Sequence, residues 1–66
     1  MKLNLNLFLL AMAKAKLSNE ALSRESGVHV NTIANIKKNR RANPSTLGKL
    51  AEALGVDVAD IIETEE

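Results

Sequence analysis

The apolar positions of this chain recur at helical spacing, and short polar breaks separate one group from the next. A first stripe at i, i+3, i+4 and i+7 predicts a helix over about residues 7–16. Its members are Phe8, Ala11, Met12 and Ala15. A second stripe with the same spacing predicts a helix that ends at Gly55. Its members are Leu47, Leu50, Ala51 and Leu54.

Capping residues between the stripes set the remaining boundaries. Ser18 is a good N-cap for a second helix over residues 19–26, in which Leu22 faces inward. Gly27 can adopt the left-handed conformation that ends a helix, and a third helix is predicted over residues 30–38. Asn43 followed by Pro44 is typical of the start of a helix, here the fourth.

A fifth helix is predicted after Gly55. Asp57 is its expected N-cap, and Asp60 three positions later completes an arrangement like a capping box. Val58, Ile61 and Ile62 form its expected buried face. The pattern therefore predicts an all-α fold, a compact bundle of five short helices. The alternation of Leu and Asn over residues 2–7 leaves a short edge strand as an alternative at the start.

Length and composition exclude several classes of protein. The 66 residues suffice for one domain with a single core, here taken as residues 1–66. The chain has no cysteine and one histidine, so we expect no disulfide, metal site or other cofactor. No arrangement of nucleophile, base and orienting acid is evident, so an enzyme is not expected.

The location of the protein is predicted from its apolar segments. The run over residues 7–13 is much shorter than a membrane span, and the start lacks the features of a signal peptide. We therefore expect a cytoplasmic protein with no membrane partner.

The net charge of +1 hides a marked asymmetry along the chain. Residues 1–50 carry all nine Lys and Arg against two Glu, a balance of +7, and residues 51–66 carry six carboxylates. Lys37, Lys38, Arg40 and Arg41 form a basic segment, and residues 63–66 form an acidic tail. Such a basic segment is typical of phosphate binding, and equally of an ordinary solvated surface.

The third helix has two distinct faces. Ile33 and Ile36 share one face and are predicted to enter the core. Asn31, Asn35 and Lys38 share the opposite face, at i, i+4 and i+7. An Asn side chain can bond adenine in the major groove with both ends of its amide, although Asn is also common on ordinary surfaces.

Residues 17–62 resemble the phage Cro and repressor family of helix-turn-helix proteins, often called Xre-like. The matching segments are LSNEALSRESGVHVNTIANI, residues 17–36, and PSTLGKLAEALGVDVADII, residues 44–62. The family keeps its two helices packed at a fixed angle with residues that match Leu22, Ser23, Gly27, Val28, Ile33 and Ile36. The resemblance implies a repressor-like DNA-binding domain, with its helix-turn-helix at about residues 19–38. It implies a transcriptional regulator, most simply a repressor, that recognises the major groove with helix 30–38.

The resemblance also implies which residues contact DNA. The base-contacting positions correspond to Val30, Asn31, Ala34 and Asn35. The positions that contact the DNA backbone correspond to Ser18, Asn19, His29, Thr32, Lys38, Asn39, Arg40, Arg41 and Asn43. Backbone contacts hold register and carry little sequence information.

The chain departs from the family at a few positions. Relatives often pair an Arg in helix one with a Glu near the end of helix three, where this chain has Met12 and Lys37. The usual Gly after helix three is Asn39, which tolerates a left-handed backbone. His29 replaces the Ser or Thr that usually caps the recognition helix, so it is either a phosphate contact or a structural residue. Gly48 weakens helix four, and close packing against a neighbour is one explanation for it.

Leu7 and Leu10 lie on the side of helix one away from Phe8. Two interpretations are open: Ile61 and Ile62 cover them, or they form a dimer contact. The resemblance implies homodimers on a pseudo-palindromic double-stranded DNA operator, and no small-molecule ligand. The competing hypothesis is a protein-interaction module, such as an antitoxin that neutralises a partner through its Leu-rich first helix or acidic tail.

Overall fold

The structure, a computed structural model that describes residues 1–63, contains four α-helices and one short 3₁₀ helix. The α-helices are α1 (Leu5–Ala15), α2 (Asn19–Ser26), α3 (Val30–Asn39) and α4 (Pro44–Leu54). The all-α prediction is confirmed for the described residues. The predicted count of five helices is wrong, because the fifth element is a single 3₁₀ turn, Val58–Asp60.

The 3₁₀ turn is short because the segment after it bonds to another part of the chain. The Asp57 N–H donates to the Asp60 carboxylate at 3.2 Å, as the predicted cap requires. The carbonyl of Ile61 then accepts from the Asn4 N–H at 2.8 Å, and the Glu63 N–H donates to the Lys2 carbonyl at 2.9 Å. These long-range bonds replace the bonds that a continuing helix would make.

The first helix begins earlier than its apolar stripe predicts. The side chain of Asn4 accepts from the Leu7 N–H at 3.1 Å and is the N-cap of α1. The helix ends at Ala15, and Lys16 adopts a left-handed conformation with φ 60°. The helix therefore spans residues 5–15 and not 7–16.

The end of the third helix also differs from expectation. Asn39 is helical, and the left-handed residue is Arg40, with φ 61° and ψ 30°. The Arg40 N–H donates to the Ile36 carbonyl at 2.6 Å, which closes the last turn. The expectation that Asn39 takes the left-handed position is wrong by one residue, because α3 extends one residue beyond the predicted end and includes Asn39.

One apolar core joins all the elements and contains most of the inward residues of the predicted stripes, while Ala15, Val58 and Ile62 are partly buried and pack against it. Burial of each large aliphatic side chain contributes about 1.5–3 kcal/mol, so this cluster supplies most of the stability of so small a domain. The fully buried side chains are Leu3, Phe8, Leu22, Ile33, Leu47, Leu50 and Ile61.

The N-terminal segment, residues 1–4, lies between the loop after α3 and the segment after the 3₁₀ turn. Leu3 bonds to Arg40 on one side, N–H to carbonyl at 2.9 Å, and makes an antiparallel bridge to Ile62 on the other. Lys2 makes a second bridge, to Arg41. In this segment the alternating Leu and Asn residues give isolated bridges, and the edge strand is not formed.

The outer face of α1 stays exposed. Leu7 and Leu10 are 40% and 50% exposed. The prediction that Ile61 and Ile62 cover them is wrong, because Ile61 is fully buried in the core and Ile62 pairs with Leu3. A groove beside α1 is instead lined by Leu7, Leu10, Ala11, Lys14, Val56, Ala59 and Asp60.

Gly48 does not mark a tight helix contact. A Cβ atom at this position would have no heavy atom within 4 Å beyond its immediate neighbours. Close packing within the described chain is therefore not the reason for this glycine, and the structure offers no other.

Of the predicted acidic tail, Glu63 lies 3.6 Å from the Lys2 ammonium, and residues 64–66 lie outside the described residues. None of the helices in residues 1–63 combines the length and apolar character that a membrane crossing requires.

Candidate nucleic-acid interface

The angle between α2 and α3 is set by a short turn and by the core beneath it. Gly27 adopts φ 77°, a conformation that costs glycine little, and its N–H donates to the Ser23 carbonyl at 2.9 Å. Leu22 on α2 and Ile33 on α3 are fully buried, and Val28 in the turn is nearly so. Because these residues hold one face of α3 in the core, its opposite face is presented to solvent.

That outer face carries the side chains predicted to contact bases. Asn31, Ala34 and Asn35 are exposed, and Val30 at the start of the helix is half-buried. Lys38 is exposed one turn beyond Asn35. The predicted polar stripe is confirmed as a solvent-facing surface, and its contacts with bases stay a prediction.

Three of the residues predicted to contact the DNA backbone are helix N-caps. The Ser18 hydroxyl oxygen accepts from the Ala21 N–H at 3.1 Å, and the Asn43 Oδ1 accepts from the Thr46 N–H at 2.8 Å. His29 caps α3, since its Nδ1 accepts from the Asn31 N–H at 3.0 Å. His29 is therefore a structural cap of α3, and its contact with a phosphate stays a prediction.

These caps leave a common chemical pattern at the surface. Each capping side chain uses its acceptor atom to bond a backbone N–H and retains a donor group that the cap does not use. These donors are the Ser18 hydroxyl hydrogen, the Asn43 Nδ2 amide and, because Nδ1 accepts, the His29 Nε2–H. All three side chains are exposed. DNA phosphate oxygens only accept hydrogen bonds, so the remaining donors match that ligand.

The basic loop, residues 40–43, has a fixed backbone, and its charged side chains are exposed, as is that of Lys38 near the end of α3. The Arg40 carbonyl accepts from Leu3, Arg41 bridges Lys2, and the Ala42 N–H donates to the Met1 carbonyl at 3.2 Å. In this part of the surface the side chains predicted to contact phosphates are exposed, namely Lys38, Asn39, Arg40, Arg41 and Asn43. The N-terminal segment thus holds a cationic loop in place without covering it.

A groove joins the outer face of α3 to the start of α4. It brings together predicted base and backbone contacts, and Thr46, which the sequence did not single out. It is lined by Thr32, Asn35, Ile36, Asn39, Arg41, Ala42, Asn43 and Thr46. Ser18, Asn19 and His29 do not line it, so the predicted backbone contacts form more than one group along the surface.

Lys37 is a further polar residue at this surface, and its contacts with α1 and α2 were not predicted from the sequence. Its ammonium donates to the Oδ1 atom of Asn19, at the start of α2, and lies 5.8 Å from the centroid of the Phe8 ring. Partial burial lowers the pKa of Lys37 below the ordinary lysine value. At about 100° per residue, Lys37 lies about 40° from Ile33 around α3, and this spacing was the available signal that it faces inward.

Comparison with known families matches residues 10–66 to a family model described as a Cro/C1-type HTH DNA-binding domain. The matched range contains α2, α3, α4 and every predicted DNA contact. Comparisons with curated proteins and with solved structures gave no match.

Proposed function

Because the chain belongs to the Cro/C1-type HTH DNA-binding domain family, we propose that it is a sequence-specific transcriptional regulator that inserts α3 into the major groove. The observation that carries this proposal is the exposed face of Asn31, Ala34 and Asn35, supported from behind by the buried Ile33 and Ile36. A rigid helix with short amide side chains can approach base edges closely and bond adenine in a bidentate way.

Phosphate contacts on both sides of α3 would fix its register. The donors kept by Ser18, His29 and Asn43 suit phosphate oxygens, and the exposed Arg40 and Arg41 add charge. Contacts of this kind are independent of sequence and strongly dependent on salt. We assign specificity to α3 and general affinity to the caps and the basic loop.

The regulator acts as a repressor in this proposal, because occupancy of a site excludes other proteins from the same DNA. Its family is one of DNA-binding domains and not of enzymes, so no reaction is invoked. We place its action at bacterial or phage DNA in the cytoplasm.

A homodimer is the proposed binding unit. Leu7 and Leu10 present an exposed apolar surface, and the groove beside them carries both a cation, Lys14, and an anion, Asp60. In a two-fold interface the same patch meets its own copy, so a patch with both charges can pair each Lys14 with the partner's Asp60. Two recognition helices roughly 34 Å apart would then bind a pseudo-palindromic operator.

The proposed function is tested by selecting bound duplexes from a random DNA library at near-physiological salt. We expect the wild type to enrich a pseudo-palindrome, and the double variant Asn31→Ala with Asn35→Ala to lose that enrichment while retaining salt-sensitive binding. If the folded wild type enriches no sequence, the proposal fails. The protein-interaction hypothesis then becomes the better explanation of the exposed leucines.

The dimer is tested separately by sedimentation with and without the selected duplex. Leu10→Glu should weaken dimers, since it puts a charge into the groove. Leu9→Glu is the matched control, because Leu9 is exposed to a similar extent, 44%, and does not line the groove. Equal effects of the two changes would refute this interface.

A further inference from the structure

We propose that Lys37 is a positioning residue that orients the Asn19 side-chain amide so that its Nδ2 group donates to a DNA phosphate. The proposal rests on the proposed DNA-binding function and assigns a role to a residue that the family comparison does not explain. Its basis is a side-chain contact between α3 and α2, supported by α1.

The contact permits one orientation of the amide. Lys37 is a donor-only group, and its ammonium bonds the Oδ1 atom of Asn19. If the Asn19 amide turned by 180°, its two N–H donors would face the three N–H donors of the Lys37 ammonium. The hydrogen bond would be lost and the donors would repel each other. The Nδ2 group is therefore held on the side of the amide that points away from Lys37. A phosphate needs such a donor, because it has only acceptor oxygens.

The surroundings of Lys37 explain why the ammonium stays in this position. Its charge lies 5.8 Å from the centroid of Phe8, a ring that is fully buried and therefore fixed in the core. An aromatic face attracts a cation at this distance. The Lys37 side chain is half-buried, whereas its neighbour Lys38 is exposed. Lys37 thus connects the start of α2 to the core, and Lys38 remains available for direct phosphate contact.

Lys37 makes no ion pair in the described residues, whose one salt bridge joins Lys2 and Glu63. Its ammonium bonds the neutral amide of Asn19, so its positive charge stays beside a predicted phosphate contact.

A double-mutant cycle on DNA affinity tests the proposal. Lys37→Met keeps the apolar stem and removes the donor, and Asn19→Ala removes the amide. We expect each change to weaken binding to the selected duplex by about tenfold to a hundredfold, the scale of one hydrogen bond to a charged group. We expect the double variant to bind only slightly more weakly than Asn19→Ala alone, because only the positive charge of Lys37 is then lost in addition. Lys37→Arg, also donor-only, should recover most of the affinity.

Lys38→Met is the matched control. It removes the same charge from the neighbouring residue, and its effect should add fully to that of Asn19→Ala, with a smaller dependence of affinity on salt. If Lys37→Met also adds fully to Asn19→Ala, or leaves affinity unchanged, the positioning role is wrong. Thermal unfolding of each variant separates these outcomes from loss of fold.

Nuclear magnetic resonance of the protein without DNA gives an independent readout. The Asn19 side-chain amide resonances should shift in Lys37→Met and not in Lys38→Met. If they shift as expected and no duplex binds, the proposed function fails and the contact itself stands. If they are unchanged while DNA binds, the positioning role alone is overturned.

Discussion

The Leu3 N–H donates to the Arg40 carbonyl at 2.9 Å, and this bond joins a fully buried residue of the N-terminal segment to the basic loop. Leu3 contributes its side chain to the core while its backbone holds the residue that follows α3. The stability of the core and the shape of the proposed phosphate-binding loop are therefore coupled through one short segment. This coupling is long-range in sequence, which local patterns do not reveal.

Leu3→Ala should lower the free energy of unfolding by about 2–4 kcal/mol, because a fully buried Leu side chain leaves a cavity. It should also speed amide hydrogen exchange in residues 40–42. Leu9→Ala is the control, since Leu9 is exposed and its loss should cost about 0.5 kcal/mol or less. Equal destabilisation by both changes would contradict the role of the N-terminal segment.

Asn31→Ala and Asn35→Ala should each cost about 1–3 kcal/mol on the selected operator and little on random DNA, because amide contacts with base edges distinguish sequences. Affinities measured on both kinds of duplex check this. Asn6→Ala is the control, because it removes an exposed Asn side chain from α1 at a position with no predicted DNA contact. An equal loss of affinity for both duplexes would indicate that the two Asn residues contact the DNA backbone and not the bases.

Arg40→Gly should move stability and DNA affinity in opposite directions. Arg40 adopts φ 61°, a conformation that costs a residue with a Cβ about 1–2 kcal/mol. Glycine removes this cost but loses more conformational entropy on folding, about 0.5–1 kcal/mol. The free energy of unfolding should therefore rise by roughly 0.5–1 kcal/mol. The loss of the guanidinium should weaken all duplexes similarly.

Lys16→Gly is the matched control for Arg40→Gly. Lys16 has φ 60° and no predicted DNA contact, so its substitution should give the same stabilisation with little change in affinity. Denaturant unfolding and DNA titration of both variants decide the matter. If Arg40→Gly weakens only one sequence, its phosphate role is wrong.

His29 has two roles that substitution can separate. His29→Ser should keep the cap on the Asn31 N–H and lose the donor at Nε2, so stability should be nearly unchanged while DNA binding weakens. His29→Ala should lose both and cost about 1 kcal/mol of stability. Normal DNA affinity in a stable His29→Ser variant would show that His29 is a cap alone.

The lowered pKa of Lys37 predicts a dependence of stability on pH. Between the lowered pKa in the folded state and the ordinary lysine pKa, the unfolded chain binds more protons than the folded protein. The free energy of unfolding of the wild type, relative to Lys37→Met, should therefore rise as pH increases through this range. Denaturant titrations of both proteins at pH 7 and pH 10 measure the difference, and a fall would contradict the burial of the ammonium.

Local signals in the sequence predicted much of this fold. Ser18 and Gly27 gave the bounds of α2 correctly, since a capping hydroxyl and a left-handed glycine act within one turn. Asn4 is also a cap, but the alternation of Leu and Asn around it suggested a strand and concealed the start of α1. The fifth helix was predicted from its cap, but the element ends after one 3₁₀ turn because the following residues bond to residues 2–4. No residue near this turn in the sequence indicates those bonds.

The candidate interface was predicted less completely. The exposed Asn31 and Asn35 follow directly from helical spacing, because Ile33 and Ile36 determine which face is inward. Lys37 was grouped with the solvated basic segment because of its charge. Its long side chain can extend over Phe8 and reach Asn19, and the geometry of three helices decides that path.

The open space around Gly48 makes α4 a suitable place for a spectroscopic label. The chain contains no cysteine, so Gly48→Cys would supply a single thiol at a half-buried position where a Cβ meets no neighbour within 4 Å. Helix propensity should improve slightly with the loss of glycine. The distance between the labels on two copies bound to DNA would then report the separation of the two half-sites.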